Sequence, residues 1–175
     1  MKVIFLDIDG VLNSHHWFKK YYDKNNPDET YINFSCIQNL AKIVKATDAK
    51  IVLSASCRRE VKSNKNHFLR KIFERYDLEI YDFTPHTGLE RGVDIQEWLN
   101  HHLDVTNIVI IDDDSDMKPL MKYLVQTKWL VDDRGKPLAE EGLSRKIAKQ
   151  AIEMLDKPFE NKMSNQVKNN FRKSF

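Results

Sequence analysis

The sequence predicts an α/β protein, a doubly wound parallel sheet with helices on both faces, and three observations carry that prediction. Val3-Ile4-Phe5-Leu6, Ile51-Val52-Leu53 and Ile108-Val109-Ile110-Ile111 are short apolar runs without polar alternation, the pattern of strands buried on both faces of a sheet. Stretches with apolar residues at helical spacing separate them, the alternation that builds βαβ units. Each run also ends on a residue that chemistry uses: Asp7, Ser54 or Asp112. Ligands of open α/β sheets bind beyond the carboxyl ends of the strands, so these side chains are expected at one site.

The first strand leads into Asp7-Ile8-Asp9-Gly10. Two neighbouring carboxylates repel each other and are costly to desolvate, so a bound cation or a shared proton is expected to compensate them. Gly10 permits a sharp turn. The bland reading is an ordinary Asp-rich turn after a strand. Residues 14–34 follow as an insert, with Trp17, Phe18, Tyr21 and Tyr22 interleaved with Lys19 and Lys20. Such a mixture can stack a base and hold its backbone, or it can pack the insert onto the core with its lysines solvated. Ser35 is placed as the cap of a helix whose stripe is Ile37, Leu40, Ala41 and Val44.

After the Ile51–Ser54 strand come Ser56, Cys57 and Arg58; hydroxyls hydrogen-bond phosphoryl oxygens and a guanidinium grips them bidentately. Cys57 is read as a small packing residue. Arg59, Lys62, Lys65, Arg70, Lys71 and Arg75 form either a positive rim for nucleic acid or the wet face of a helix striped by Phe68, Leu69, Ile72, Phe73 and Tyr76. Leu78–Phe83 reads as a strand stopped at Thr84-Pro85. Ile95, Trp98, Leu99 and His102 or Leu103 mark the next helix. The Ile108–Ile111 strand ends in Asp112-Asp113-Asp114, and hard oxygen ligands of this kind suit Mg²⁺. A last strand is expected at Tyr123–Thr127, with Trp129–Val131 as a further pairing. Beyond Leu155 the chain turns polar and basic, giving a domain over 1–155 and a mobile or separately docked tail over 156–175.

Together, Asp7-x-Asp9-Gly10-Val11-Leu12, Ser54 and Asp112-Asp113 resemble the motifs of the haloacid dehalogenase (HAD) superfamily of Mg²⁺-dependent phosphoryl-transfer enzymes. The finer pattern adds Asn13, Ser56, Arg58, Thr84-Pro85, Arg91-Gly92-x-Asp94-Ile95 and Trp98-Leu99. It is similar to the small HAD domains of phage and bacterial nucleic-acid repair proteins and, more distantly, to the phosphatase half of polynucleotide kinase-phosphatases. The resemblance covers residue 1 to about residue 145 and implies a HAD-like Rossmannoid sheet, with residues 14–34 as a flap in place of a cap domain.

It also implies roles. Asp7 would be the nucleophile, forming an aspartyl-phosphate. Asp9 would be the acid and base. Ser54 would bind the phosphoryl group, and Asp7, Asp9, Asp112 and Asp113 would hold Mg²⁺. The family's basic residue is assigned to Arg91, with Lys118 the weaker candidate and Arg58 a further one, while Gly10, Ser56, Arg58 and Lys118 belong with substrate binding. The expected activity is phosphomonoester hydrolysis at phosphorylated nucleic-acid ends or nucleotides. The alternatives are a phosphatase for a small phosphorylated metabolite and a phospho-accepting regulatory module without turnover; the intact Asp7/Asp9 pair argues against the latter.

Composition bounds the rest. With 175 residues and a net charge of +2, the chain has the length of one domain and no global charge case for nucleic acid. Cys36 and Cys57 form no CxxC pair, and neither His15-His16 nor His101-His102 has zinc spacing. No apolar run approaches the roughly 20 residues of a membrane span. Met1-Lys2 leads directly into a core strand, so the expectation is a cytoplasmic protein, monomeric by default. No P-loop run is present, which argues against a kinase half in this chain.

Overall fold

A computed structural model describes residues 1–128 and 142–160. Among these, β1 (Lys2–Leu6), β2 (Lys50–Leu53), β3 (Ile80–Phe83), β4 (Asn107–Asp112) and β5 (Leu124–Gln126) form one parallel sheet in the order β3-β2-β1-β4-β5. The chain steps outward from β1 through β2 to β3, then returns to the other side of β1 for β4 and β5. Strand order therefore reverses between β1 and β4, and a ligand crevice opens at such a switch point.

Alternate residues of the central strands face opposite layers. Ile4, Leu6, Ile51, Leu53, Val109 and Ile111 join one buried cluster with α3 (Phe34–Thr47), α5 (Phe68–Glu74) and α7 (Arg145–Leu155). Val3, Phe5, Val52, Ile108 and Ile110 join the other, under α6 (Arg91–Asn100). Both faces are covered, which is why these runs are apolar throughout rather than alternating. Phe5 meets Trp98 of α6 edge-on at 5.4 Å, a geometry that adds about 0.5–1.5 kcal/mol beyond burial.

Two helix starts differ from the sequence reading. Asn33, not Ser35, caps α3: its side chain accepts the Ser35 N–H at 2.9 Å, and Ser35 falls inside the first turn. The fully buried stripe of that helix is Ile37, Leu40 and Ile43, with Val44 only half-buried. The first part of the basic stretch after Ser56 is a helix of its own, α4 (Arg58–Ser63), while Arg70 and Lys71 lie on α5. A third element, α7, was not foreseen. Ser144 caps it, Ala148, Ala151 and Leu155 bury its apolar face, and it packs on α3.

The insert after β1 holds two short helices, α1 (His15–Tyr21) and α2 (Pro27–Thr30). Its base is closed where Asn33 N–H donates to the Leu12 carbonyl at 2.8 Å. The expected Trp129–Val131 pairing lies outside the described residues, as do 161–175. Residues 156–160 stay on the body, with Phe159 N–H donating to the Thr106 carbonyl at 2.7 Å. Among the described residues no helix is long and apolar enough to cross a membrane.

Candidate active site

β1 and β2 are each extended by one hydrogen bond past their ends, and that step delivers two residues of the site. Asp7 N–H donates to the Ile111 carbonyl at 3.0 Å and Ser54 N–H to the Leu6 carbonyl at 2.9 Å. Asp7 and Ser54 thus sit side by side beyond β1 and β2, with Asp112 ending β4 on the other flank. Arg91, the first residue of α6, reaches between the acids. Its Nη1 lies 2.5 Å from Asp7 Oδ1 and 2.8 Å from Asp112 Oδ2, and its own N–H is held by Asp116 Oδ2 at 3.1 Å.

Asp7 and Asp112 are nearly sealed from solvent. Burial pushes both carboxyls above the ordinary range; Arg91 pulls back against it, and Asp7 itself adds to the rise at Asp112. Burial likewise raises Asp113. It works against the charge on Arg91 too, but Asp7 and Asp112 outweigh it and that pKa rises. Carboxylate oxygens of Asp7, Asp112 and Asp113 all lie within 4.8 Å of one another. Three clustered acids against one guanidinium leave surplus negative charge on hard oxygen ligands, a donor set that fits a divalent cation such as Mg²⁺.

Asp9 is held differently. It is exposed, and its Oδ1 accepts from Asn13 Nδ2 at 2.8 Å and from Tyr31 Oη at 2.7 Å. Burial and the Asp9 carboxylate both push the Tyr31 phenol up. Asn13 also accepts the Gly10 N–H at 3.0 Å. Gly10 has φ of 76°, and a Cβ there would collide with the Asp113 carboxyl, so a side chain at this position would displace one acid of the cluster. A cleft of about 340 Å³ is lined by Asp7, Asp9, Ser56, Arg91, Asp113 and Asp114.

Not every residue expected at the substrate is free to meet it. Arg58 is buried, and its N–H groups are taken by the carbonyls of Ser54, Ala55, Thr84 and Pro85, by His86 Nδ1 and by Asp94 Oδ2. No donor is left for a phosphate in this arrangement. The Gly10 N–H is likewise occupied by Asn13, and its carbonyl accepts from Thr127 Oγ1 at 2.9 Å. Lys118 is exposed and is not among the residues lining the cleft. Ser54 Oγ is buried without a hydrogen-bond partner among the described residues, a state that costs about 1–3 kcal/mol. Burial pushes the Cys57 thiol up to about 11, so it stays protonated at neutral pH.

Sequence reasoning missed Tyr31 as part of this site, and used Asn13 and Asp94 only within a motif. A tyrosine 22 residues on from Asp9, inside an insert, leaves no local pattern. A second depression of about 290 Å³ beside α2 and α5 holds the Glu29–Arg75 ion pair and no acid cluster.

A family model described as the HAD domain in Swiss Army Knife RNA repair proteins matches residues 3–132. The chain belongs to this family. The matched span runs from β1 through β5 and contains each site residue named above, so the HAD resemblance drawn from the motifs holds, as does the parallel Rossmannoid sheet. A HAD domain of this kind is a phosphatase-type domain. α7 lies beyond the matched residues of the HAD model. No curated protein and no solved structure matches the chain.

Proposed function

We propose that this HAD domain is a Mg²⁺-dependent phosphomonoesterase that works through an aspartyl-phosphate and acts on phosphorylated nucleic-acid ends, RNA first. One observation carries the reading: Asp7 is buried against Arg91 and Asp112 at the switch point, while Asp9, two residues on, stays exposed under two hydrogen-bond donors. Asp7 is fixed beside Arg91 at the strand end, and Asp9, exposed in the same cleft, can reach a leaving-group oxygen. The RNA-repair description of the family favours a strand end as substrate.

The residues then divide the work. A carboxylate oxygen of Asp7 attacks phosphorus in line, and the bond to the ester oxygen breaks. Asp9 gives its proton to the departing alkoxide; it then takes one from the water that attacks the Asp7-bound phosphoryl group, releasing phosphate and restoring Asp7. Arg91 holds Asp7 ionised against the effect of burial. The unpartnered Ser54 hydroxyl gains an acceptor when a phosphoryl oxygen arrives. Asp7, Asp112, Asp113 and the Asp9 carbonyl would hold Mg²⁺, which supplies charge neutralisation for the phosphoryl group. Arg58 serves the site from behind, tying the loop before α6 to the end of β2.

Phosphate release from a 3′-phosphorylated oligoribonucleotide, its 5′-phosphorylated isomer and the matching mononucleotide tests this. The expected result is Mg²⁺-dependent release, fastest from an oligonucleotide, and a loss of about 10³-fold or more in Asp7→Asn. Faster turnover of the mononucleotide would move the protein to nucleotide or metabolite hydrolysis. Stable labelling of Asp7 without phosphate release would make it a phospho-accepting module.

A further inference from the structure

We propose that Tyr31, at the base of the flap, is a positioning residue for the general acid: with Asn13 it occupies one oxygen of Asp9 and leaves the other to carry the catalytic proton. The inference rests on the assignment of Asp9 as the acid.

The two contacts are both donations. Gly10 N–H is bonded to Asn13 Oδ1 at 3.0 Å, which fixes the amide so that its NH₂ end, a donor only, faces Asp9. Tyr31 Oη donates to the same Asp9 Oδ1 at 2.7 Å. With two donors on Oδ1, a proton placed there would meet two other protons, so it belongs on Oδ2. A carboxylic acid with either oxygen free would spread its proton over both and over several rotamers. Here the productive one is selected in advance, which is what a positioned acid requires.

Tyr31 is itself held. Its ring lies edge-on between Phe18 of α1 at 5.2 Å and Phe68 of α5 at 5.4 Å. The next residue, Ile32, is fully buried, and Asn33 is bonded to Leu12. A phenylalanine would fill the same clamp equally well. Asp9 is exposed, and water could satisfy its oxygens, so two protein donors on one oxygen serve orientation rather than folding. The flap helix α1 forms one wall of the clamp, and so the setting of the acid depends on where the flap lies.

The test separates positioning from structure by leaving group. An alkoxide needs a proton as it departs, whereas p-nitrophenolate leaves without one. kcat/KM covers steps only through phosphoryl transfer to Asp7, so it isolates Asp9 acting as acid. For Tyr31→Phe the expected result is a loss of about tenfold on the 3′-phosphorylated oligonucleotide and under about twofold on p-nitrophenyl phosphate. Phe68→Leu, which keeps the hydroxyl but loosens the clamp, is expected to show a smaller split of the same sign. Asp9→Asn is measured alongside. If Asp9→Asn splits the two substrates and Tyr31→Phe lowers both equally or neither, the Tyr31 inference falls while the acid assignment stands. If Asp9→Asn itself shows no split, Asp9 is not the acid and both fall.

Discussion

Asp7 and Asp112 share one guanidinium, and burial lifts both carboxyls, the second to about 7. A group whose folded pKa is raised binds protons more tightly folded than unfolded. Its contribution to stability is full below the unfolded value of about 4 and is lost as pH rises through the folded one. Metal-free protein is therefore expected to lose stability between about pH 4 and pH 7 through this pair, while Mg²⁺ binds the ionised acids and offsets the loss. Urea midpoints at about pH 5 and about pH 8, in EDTA and in Mg²⁺, measure this: the Mg²⁺ effect should be larger at the higher pH and shrink in Asp113→Asn. An effect of equal size at both would remove the cation from this cluster. The aspartates were legible in sequence because each follows an unbroken apolar run that could only be a buried strand. Arg58 was not, since its proximity to Ser54 says nothing about the loop from Thr84 to Asp94 that folds over its guanidinium.

Among the elements, the joint between α4, the loop after β3 and α6 carries the most specific chemistry. Arg58 and Asp94 are nine-tenths buried and 2.6 Å apart, and Asp94 also accepts from the backbone and hydroxyl of Thr87. Removing one partner leaves a buried, uncompensated charge. Asp94→Ala is expected to cost about 3–5 kcal/mol in urea denaturation, and to lower activity further because the same loop leads into Arg91. A cost under about 1 kcal/mol would mean that the pair does not hold the loop. Strands were read closely because two-sided burial leaves a plain apolar signature. Helix α7 was overlooked although Ile147, Ala148, Ala151, Ile152 and Leu155 stand at helical spacing; its alanines bury too little apolar surface to stand out from a polar region. The cap at Asn33 was misplaced because asparagine and serine cap equally well, and only the backbone path decides between them.

At the scale of the molecule, α7 completes the face of the sheet that α3 and α5 also cover, packing on α3, β4 and β5. Leu143 is fully buried, its N–H donates to the Val11 carbonyl, and its own carbonyl accepts from Asn39. We propose that the folded unit ends near Glu160, a few residues past the composition change after Leu155, since Lys157 and Phe159 still bond to the body. A chain cut after residue 143 is expected to lose its cooperative thermal transition, and one cut after residue 160 to keep it. Retention of a sharp transition without α7 would show that the core stands on the matched span alone.

The pairing of β1 with β4 sets Leu6 against Ile111, more than half the chain apart. Contacts of such sequence separation form late, because loop closure must be met before they are rewarded. During synthesis Asp7 emerges among the first residues, yet Arg91 comes from the start of α6 and Asp112 and Asp113 from the end of β4. A partly made chain therefore carries an Asp7 that is exposed and ionised, but without the guanidinium and the two acids that surround it in the folded protein. The site is therefore assembled only once β4 has paired with β1, so an unfinished chain lacks it.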